Sequence, residues 1–205
     1  VMRHIFTTTR NSWLMQGLRE ALQEDGTEVR VYSVESAGEL LCAAGPRLPP
    51  DSVLLPVFPD NHPVDCLRSL TFLSEWTRTG HPEVPCLLWG RTALIRGAEG
   101  GAPVIPWRLP PFRLRGAINH GVQVWRSRVK SRGAVRYRMR LSPREMVILR
   151  HTLEGASLEQ MAAVLGVKPK TVWTHRRHAM DVLGIRRLSD LMRLPQAVFR
   201  EIPAW

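Results

Sequence analysis

The sequence predicts a two-domain protein, with an α/β domain over residues 1–125 and an all-α domain over residues 141–205, joined by a basic connector. Strand-like and helix-like segments alternate along the first 125 residues, which is typical of a parallel sheet with helices on both faces. Residues 141–205 hold helical patterns separated by glycines. Positive charge also separates the halves, because residues 126–205 carry 17 of the 29 Lys and Arg residues but 6 of the 18 acids. This asymmetry favours nucleic acid or another anionic surface as a partner.

The first domain is predicted from apolar periodicity. The run at 52–58 is continuously apolar, as in a buried parallel strand. Ser12 is the predicted N-cap of the first helix. The glycine-rich stretch 90–101 indicates that any helix there is short or absent. Strands are predicted at 2–8, 28–34, 52–58, 84–89 and 104–107, and helices at 12–24, 36–44, 64–77 and 112–124.

The connector, residues 126–140, is predicted to be extended. Seven of its fifteen residues are basic and none is acidic, and its apolar residues show no helical period. Two interpretations stay open: a solvated tether, or a segment that adds phosphate contacts beside a DNA-binding module.

The second domain begins with two capping-box patterns, Ser142 with Glu145 and Ser157 with Gln160, each of which starts a helix. Pro143 occupies the first helical position, where its missing N–H costs nothing. Glycines end both helices, and a third helix is predicted over 168–183. The domain therefore starts as three helices with short joints.

The third predicted helix has two different faces. Val172, Ala179 and Leu183 share one face, with Met180 adjacent, and this face is predicted to pack. The helix begins with Lys168, Lys170 and Thr171, where free N–H groups and the helix dipole already favour a phosphate. The other face carries Trp173, Thr174, Arg176 and Arg177. A helix of this kind fits the major groove of duplex DNA.

The second domain resembles the LuxR/FixJ-type helix-turn-helix of bacterial transcription regulators, in particular the RcsB/NarL branch of response regulators. The resemblance implies a four-helix DNA-binding domain. The residues that carry it are Leu141-Ser-Pro-Arg-Glu, Glu154-Gly, Met161-Ala, Leu165-Gly-Val, Lys170-Thr-Val, His175, Thr174-His-Arg-Arg-His and Leu183-Gly-Ile.

The resemblance also implies roles for single residues. Base reading falls on Trp173, Thr174 and Arg177, and contacts with the DNA backbone fall on Lys168, Lys170, Thr171, His175 and Arg176. The fourth helix, within 188–194, implies a dimer contact through Leu191, Met192 and Leu194. Alternatives stay open: partial burial of Trp173 against Arg176 or a partner subunit, a phosphate contact for Arg177, a polar niche for His175, and packing on the first helix for the fourth.

The first domain resembles, in its architecture, the flavodoxin-like receiver domain of response regulators. A phosphorylatable receiver needs acids after the first strand, an Asp ending the third strand, and a Lys before the last helix. Here Phe6-Thr-Thr-Thr-Arg10 has no acid, Leu55 or Pro56 stands at the acceptor position, and no lysine precedes Lys130. A pseudo-receiver without a phosphoacceptor is predicted. Asp60 stays open as an irregular acceptor.

Enzyme chemistry is not predicted, because the sequence has no nucleophile–base pairing and no phosphate-cradling glycine motif. No catalytic residue, metal site or cofactor is expected. Cys42, Cys66 and Cys86 are interpreted as reduced core thiols. The sequence holds neither a long apolar run nor a leader pattern, so a cytoplasmic protein at the nucleoid, without a membrane partner, is expected.

The predicted function is that of a sequence-specific transcription regulator that binds double-stranded DNA without phosphorylation. Its predicted partner is a second copy or a related response regulator, with RNA polymerase as a further candidate. Two alternatives stay open. One is an interaction protein that modulates another regulator. The other is a ligand-sensing regulator that uses Trp13, Trp76, Trp89 and Trp107.

Overall fold

The computed structural model describes residues 2–23, 26–45, 47–60, 62–79, 81, 83–91, 95–96, 102–132 and 138–195. The strands are β1 Met2–Thr7, β2 Glu28–Ser33, β3 Ser52–Leu55, β4 Val57–Phe58, β5 Leu88–Gly90, β6 Ile95–Arg96, β7 Val104–Ile105 and β8 Arg138–Met139. The helices are α1 Ser12–Leu22, α2 Ala37–Ala44, α3 Pro63–Thr79, α4 Pro111–Arg132, α5 Pro143–Leu153, α6 Leu158–Leu165, α7 Pro169–Leu183 and α8 Leu188–Met192.

The first domain is built on a parallel sheet. Its strands lie in the orders β2-β1-β3 and β4-β5-β7, and all of these pairs are parallel. β3 and β4 follow one line that is interrupted at Pro56, whose carbonyl still accepts a hydrogen bond from Trp89 N at 3.0 Å. If β3 and β4 are counted as one third strand, β5 becomes the fourth strand and β7 the fifth. The order is then 2-1-3-4-5, which is the flavodoxin-like order. The α/β prediction is therefore confirmed.

Helices cover both faces of this sheet, with α2 and α3 on one side and α1 and α4 on the other. Successive residues of β3 point to opposite faces, as a pleated strand requires. Val53 and Leu55 pack with Leu18 and Ile118, whereas Leu54 packs with the cluster of α3. The apolar run of β3 is thus buried on both sides, as predicted.

Three local predictions in this domain were wrong. Asn11, rather than Ser12, caps α1, and its side chain accepts hydrogen bonds from the backbone N–H groups of Trp13 and Leu14. The predicted strand 52–58 is broken at Pro56 because proline has no N–H to donate to a neighbouring strand. Cys66 and Cys86 are buried as predicted, but Cys42 is exposed.

The connector is not extended over its first seven residues, because α4 continues to Arg132. The helix continues because the apolar spacing does: Leu114, Ile118 and Val122 are followed by buried Trp125 and half-buried Val129. The basic residues between them occupy the remaining faces. Further on, β8 pairs antiparallel with β6. The described residues between β5 and β7 include strand β6 and no helix.

The second domain has the four predicted helices. Both capping boxes are present, at Ser142 with Glu145 and at Ser157 with Gln160. Gly166 ends α6 in the left-handed region, with φ of 64°. The buried side chains Ile148, Met161, Ala162 and Val172 join α5, α6 and α7 into one core, so α7 is held by its inner side.

Candidate nucleic-acid interface

α7 presents the two faces that the sequence predicts. Val172, Ala179 and Leu183 are buried against the rest of the domain, together with Met180. On the opposite side Thr174 and Arg177 are exposed, and Trp173 keeps 51% of its surface open to solvent. About half of the Trp173 surface is covered by its own chain, so partial burial and base reading both stay predictions.

The beginning of α7 is open and cationic. Lys168 occupies the N-cap position and makes no side-chain capping hydrogen bond, and no acid stands in the first turn. The backbone N–H groups of that turn therefore lack a side-chain partner at the cap. Lys170 is exposed and Thr171 is half-buried beside them. An anion such as a DNA phosphate suits these groups.

Arg177 is held along the helix by the turn that follows it. Its Nε lies 3.3 Å from Asp181 Oδ1, and its Nη1 donates to Arg186 O at 3.3 Å. The guanidinium therefore has a preferred direction even though the side chain is exposed. Reduced side-chain freedom lowers the entropic cost of any contact it makes with DNA.

A polar network on the inner side of α7 was missed by sequence reasoning. Glu145 is 6% exposed and accepts hydrogen bonds from the backbone N–H of Ser142 at 2.7 Å and from its hydroxyl at 2.9 Å. The Nδ1 of His178 donates to Glu145 Oε1 at 2.6 Å, and His175 Nδ1 lies 3.8 Å from the same oxygen. The capping box was the available signal for this network, because its acid, Glu145, lies in the first turn of α5, and α5 packs against α7.

Two of the predicted contact residues are partly buried. His175 is half-buried near Glu145, which supports the polar-niche alternative. Arg176 is also half-buried, and burial lowers the pKa of its guanidinium, which nonetheless keeps its charge. Their roles at the DNA backbone stay predictions.

Desolvation would raise the pKa of Glu145, but the hydrogen bonds from Ser142 and His178 outweigh it and hold the pKa below the ordinary 4.5. The carboxylate therefore stabilises the folded state above the unfolded pKa, and this stabilisation is lost as pH falls through the folded pKa. Glu145→Gln should lower the free energy of unfolding by about 1 to 3 kcal/mol at neutral pH. Urea unfolding should show this difference narrowing below pH 4.5.

The exposed Glu20→Gln substitution serves as the control, with little change expected at either pH. If Glu145→Gln lowered the free energy of unfolding by the same amount at all pH values, the stabilising role of the Glu145 charge would be contradicted. A packing defect without a charge does not depend on pH.

The predicted dimer contact in α8 needs one correction. Leu191 is fully buried and packs within the cluster that includes α5, so it cannot reach a partner subunit. Leu194 is half-buried on the same cluster. Met192, at 44% exposure, and Leu188, at 43%, are the apolar side chains that α8 leaves open.

Hydroxyl groups occupy the region where a receiver would carry acids. Thr8 and Ser69 are buried, with 2.6 Å between their hydroxyl oxygens. Ser69 Oγ donates to Val57 O at 2.6 Å, and Val57 N donates to Thr8 Oγ1 at 3.1 Å. Asp60, two residues after β4, has its Oδ2 3.5 Å from Arg108 Nε. Among the described residues, no group of three His, Cys, Asp or Glu side chains could hold a metal ion.

The geometry of α5 to α8, with a capped helix pair, a left-handed glycine turn and an exposed basic third helix, is that of a helix-turn-helix DNA-binding domain. Residues 139–194 match the family described as "Bacterial regulatory proteins, luxR family". This segment is therefore a LuxR-family helix-turn-helix domain, as the sequence predicts.

Two curated relatives share part of the chain. The nodulation protein W of Bradyrhizobium diazoefficiens is 29% identical over 127 residues, which span 58% of this chain and 52% of that protein. The transcriptional regulatory protein TdiR of Thauera aromatica is 42% identical over 52 residues, which span 25% of this chain and 23% of that protein. The chain thus spans about half the length of the first relative and less of the second.

Solved response regulators resemble the chain over nearly its whole length. A complex of the response regulator RcsB with DNA has a TM-score of 0.46 at 16% identity, covering 99% of this chain and 100% of that one. Full-length FixJ from B. japonicum has a TM-score of 0.36 at 19% identity, covering 96% of each chain. None of the helices in the described part of the chain is long and apolar enough to cross a membrane.

Proposed function

We propose that this protein is a sequence-specific regulator of transcription that binds duplex DNA through α7. The observation that carries the proposal is the exposed face of α7, where Trp173, Thr174 and Arg177 stand beside the open cationic helix start at Lys168 and Lys170. In this proposal Trp173, Thr174 and Arg177 contact the edges of the bases. The phosphates are contacted by Lys168, Lys170, Thr171, His175 and Arg176. The site of action is the cytoplasmic nucleoid, with RNA polymerase as a further partner.

Selection from random duplex DNA by the full chain tests this function. We expect recovered sequences to share a motif, because Arg177 can pair with guanine and the Trp173 ring can pack against a thymine methyl group. Recovery of sequences without any common motif, at an affinity equal to that for bulk DNA, would contradict sequence-specific regulation. That result would favour a protein that acts on another regulator instead.

Dimerisation, with a second copy or a related regulator, is supported by exposed apolar side chains in both domains. Trp13 is 85% exposed at the start of α1, and Phe112 is 78% exposed at the start of the neighbouring α4. In the second domain, Leu188 and Met192 of α8 are exposed. Two-fold related half-sites about one helical turn apart in the selected DNA would agree with a dimer.

Regulation of DNA binding without phosphorylation is supported by the hydrogen-bonded hydroxyl groups of Thr8 and Ser69, which offer no carboxylate to Mg²⁺. Leu55 and Pro56, at the acceptor position, are buried. Asp60 was the open alternative as an irregular acceptor, but its carboxylate faces Arg108.

We expect no stoichiometric phosphorylation when the full chain is incubated with acetyl phosphate and Mg²⁺, because an acceptor without a bound metal ion is poorly activated. Intact mass measurement checks this, with Asp60→Asn as the matched variant. A mass increase of one phosphoryl group in the wild type that the variant abolishes would restore Asp60 as an acceptor and contradict the proposal.

A further inference from the structure

One arginine of the first domain contacts the end of α7. Arg91 follows Gly90 at the carboxyl end of β5, and its backbone N donates to Phe58 O at 2.8 Å. Gly90 has φ of 124°, and a Cβ at this position would overlap the Phe58 carbonyl. Position 90 therefore has no room for a side chain. The Arg91 side chain leaves the sheet edge, and its Nη2 donates to Asp181 O at 3.3 Å.

The guanidinium of Arg91 lies where the end of a helix favours a cation. The carbonyl of Asp181 accepts one hydrogen bond from Gly184 N at 3.1 Å, and a carbonyl oxygen can accept a second. The helix dipole adds partial negative charge there. Gly184 ends α7 with φ of 74°, and a Cβ at residue 184 would overlap Arg91 Nη1. The close approach of the arginine therefore depends on the missing side chain. An open cleft of about 390 Å³ adjoins the contact and is lined by Asp60, Arg91, Asp181, Gly184, Ile185 and Arg186.

The same turn also holds Arg177. Asp181 offers its backbone carbonyl to Arg91 and its carboxylate to Arg177 Nε, and Arg186 O accepts from Arg177 Nη1. The two arginines thus approach one short segment, residues 181–186, from different domains. The two arginines use different acceptor atoms, so both contacts form together. Trp173 and Thr174 stay exposed while Arg91 contacts Asp181.

We propose that Arg91 is a positioning residue for DNA recognition. By fixing the turn 181–186 against the sheet edge of the first domain, it fixes the direction of Arg177. This inference rests on the proposed function and assigns to the contact between the domains a supporting role rather than a blocking one, because the reading face remains open. Losing Arg91 should therefore reduce discrimination between DNA sequences more than total affinity.

Binding of full-chain variants to a duplex selected by the wild type, and to a scrambled duplex, tests the proposal. Arg91→Ala should weaken binding to the selected duplex about fivefold and leave binding to the scrambled duplex within about twofold. Arg91→Lys should recover most of the loss, because an ammonium can still donate to Asp181 O. Arg113→Ala removes one exposed cation from the same domain and should change both affinities equally.

A double-mutant cycle separates positioning from a general structural effect. In the Arg177→Ala background, Arg91→Ala should cause no further loss on the selected duplex, because the positioned group is absent. Additive losses in the double variant would overturn the proposal for Arg91. The same holds if Arg91→Ala behaves like Arg113→Ala while Arg177→Ala loses binding. Neither result would contradict the proposed function. Full binding by Arg177→Ala would instead overturn the proposed reading of DNA by Arg177, and this inference with it.

A glycine pair provides a second, independent test. Gly184→Ala and Gly166→Ala both place a side chain in the left-handed region, with φ of 74° and 64°, but a Cβ meets nothing within 4 Å at Gly166. Gly184→Ala should therefore reduce discrimination through its overlap with Arg91, whereas Gly166→Ala should cost stability only. If the two variants lose discrimination equally, the contact at Gly184 has no special role and the proposal fails.

Discussion

Replacing Arg177 by alanine should weaken binding of the full chain to its selected duplex by about 1 to 3 kcal/mol, the range expected for a base-contacting arginine. The side chain is exposed on α7 and is directed by Asp181 and Arg186. A guanidinium in this setting can donate two parallel hydrogen bonds to guanine. Titration with duplexes that differ at single base pairs measures the change.

The same titration separates the two roles that the sequence leaves open for Arg177. If it contacts a base, Arg177→Ala should relax the preference at one base pair. If it contacts a phosphate, the variant should weaken all duplexes alike and lower the salt slope by about one. Equal binding by Arg177→Ala and the wild type, with Arg113→Ala as the charge-matched control, would contradict both roles.

Gly90→Ala should destabilise the first domain by about 3 to 5 kcal/mol, more than an ordinary surface substitution. The φ of 124° at Gly90 is a backbone conformation that L side chains rarely adopt, and the added Cβ would overlap the Phe58 carbonyl of the neighbouring strand. Neither the strand pair β4–β5 nor the backbone hydrogen bond from Arg91 to Phe58 can then keep its geometry. Urea unfolding measured by circular dichroism checks the loss.

Gly116→Ala is the matched control, because it adds the same methyl group elsewhere in the domain. Gly116 is exposed in the interior of α4, and a Cβ there meets nothing within 4 Å. Alanine should therefore stabilise the protein by about 0.5 to 1 kcal/mol. Losses of similar size in the two variants would contradict this prediction, because the close approach of Gly90 to the Phe58 carbonyl would then have no special cost.

The second domain was predictable because its signals are local. The capping boxes at Ser142 and Ser157 act within one helical turn, and the inner face of α7 follows helical spacing through Val172, Ala179 and Leu183. Such patterns depend little on the remainder of the chain. The exposed position of Trp173 follows from the same spacing.

Other features depend on contacts between distant segments, and the sequence held weaker signals for them. The connector was predicted from its charge, although Trp125 and Val129 continue the apolar face of α4. Leu191 was assigned to a dimer contact because an apolar residue fits an interface and a core equally well. The contact of Arg91 with Asp181 joins residues 90 positions apart, and no local pattern indicates it.

The salt dependence of duplex binding tests most directly whether α7 is a DNA-binding helix. We predict that the affinity of the full chain for its selected duplex falls steeply between about 50 and 200 mM salt, because several phosphates release counterions on binding. The double variant Lys170→Glu/Arg177→Glu should bind far more weakly and with a shallower slope. If the wild type and this variant bound duplex DNA with the same affinity and the same slope, α7 would not be the surface that binds DNA.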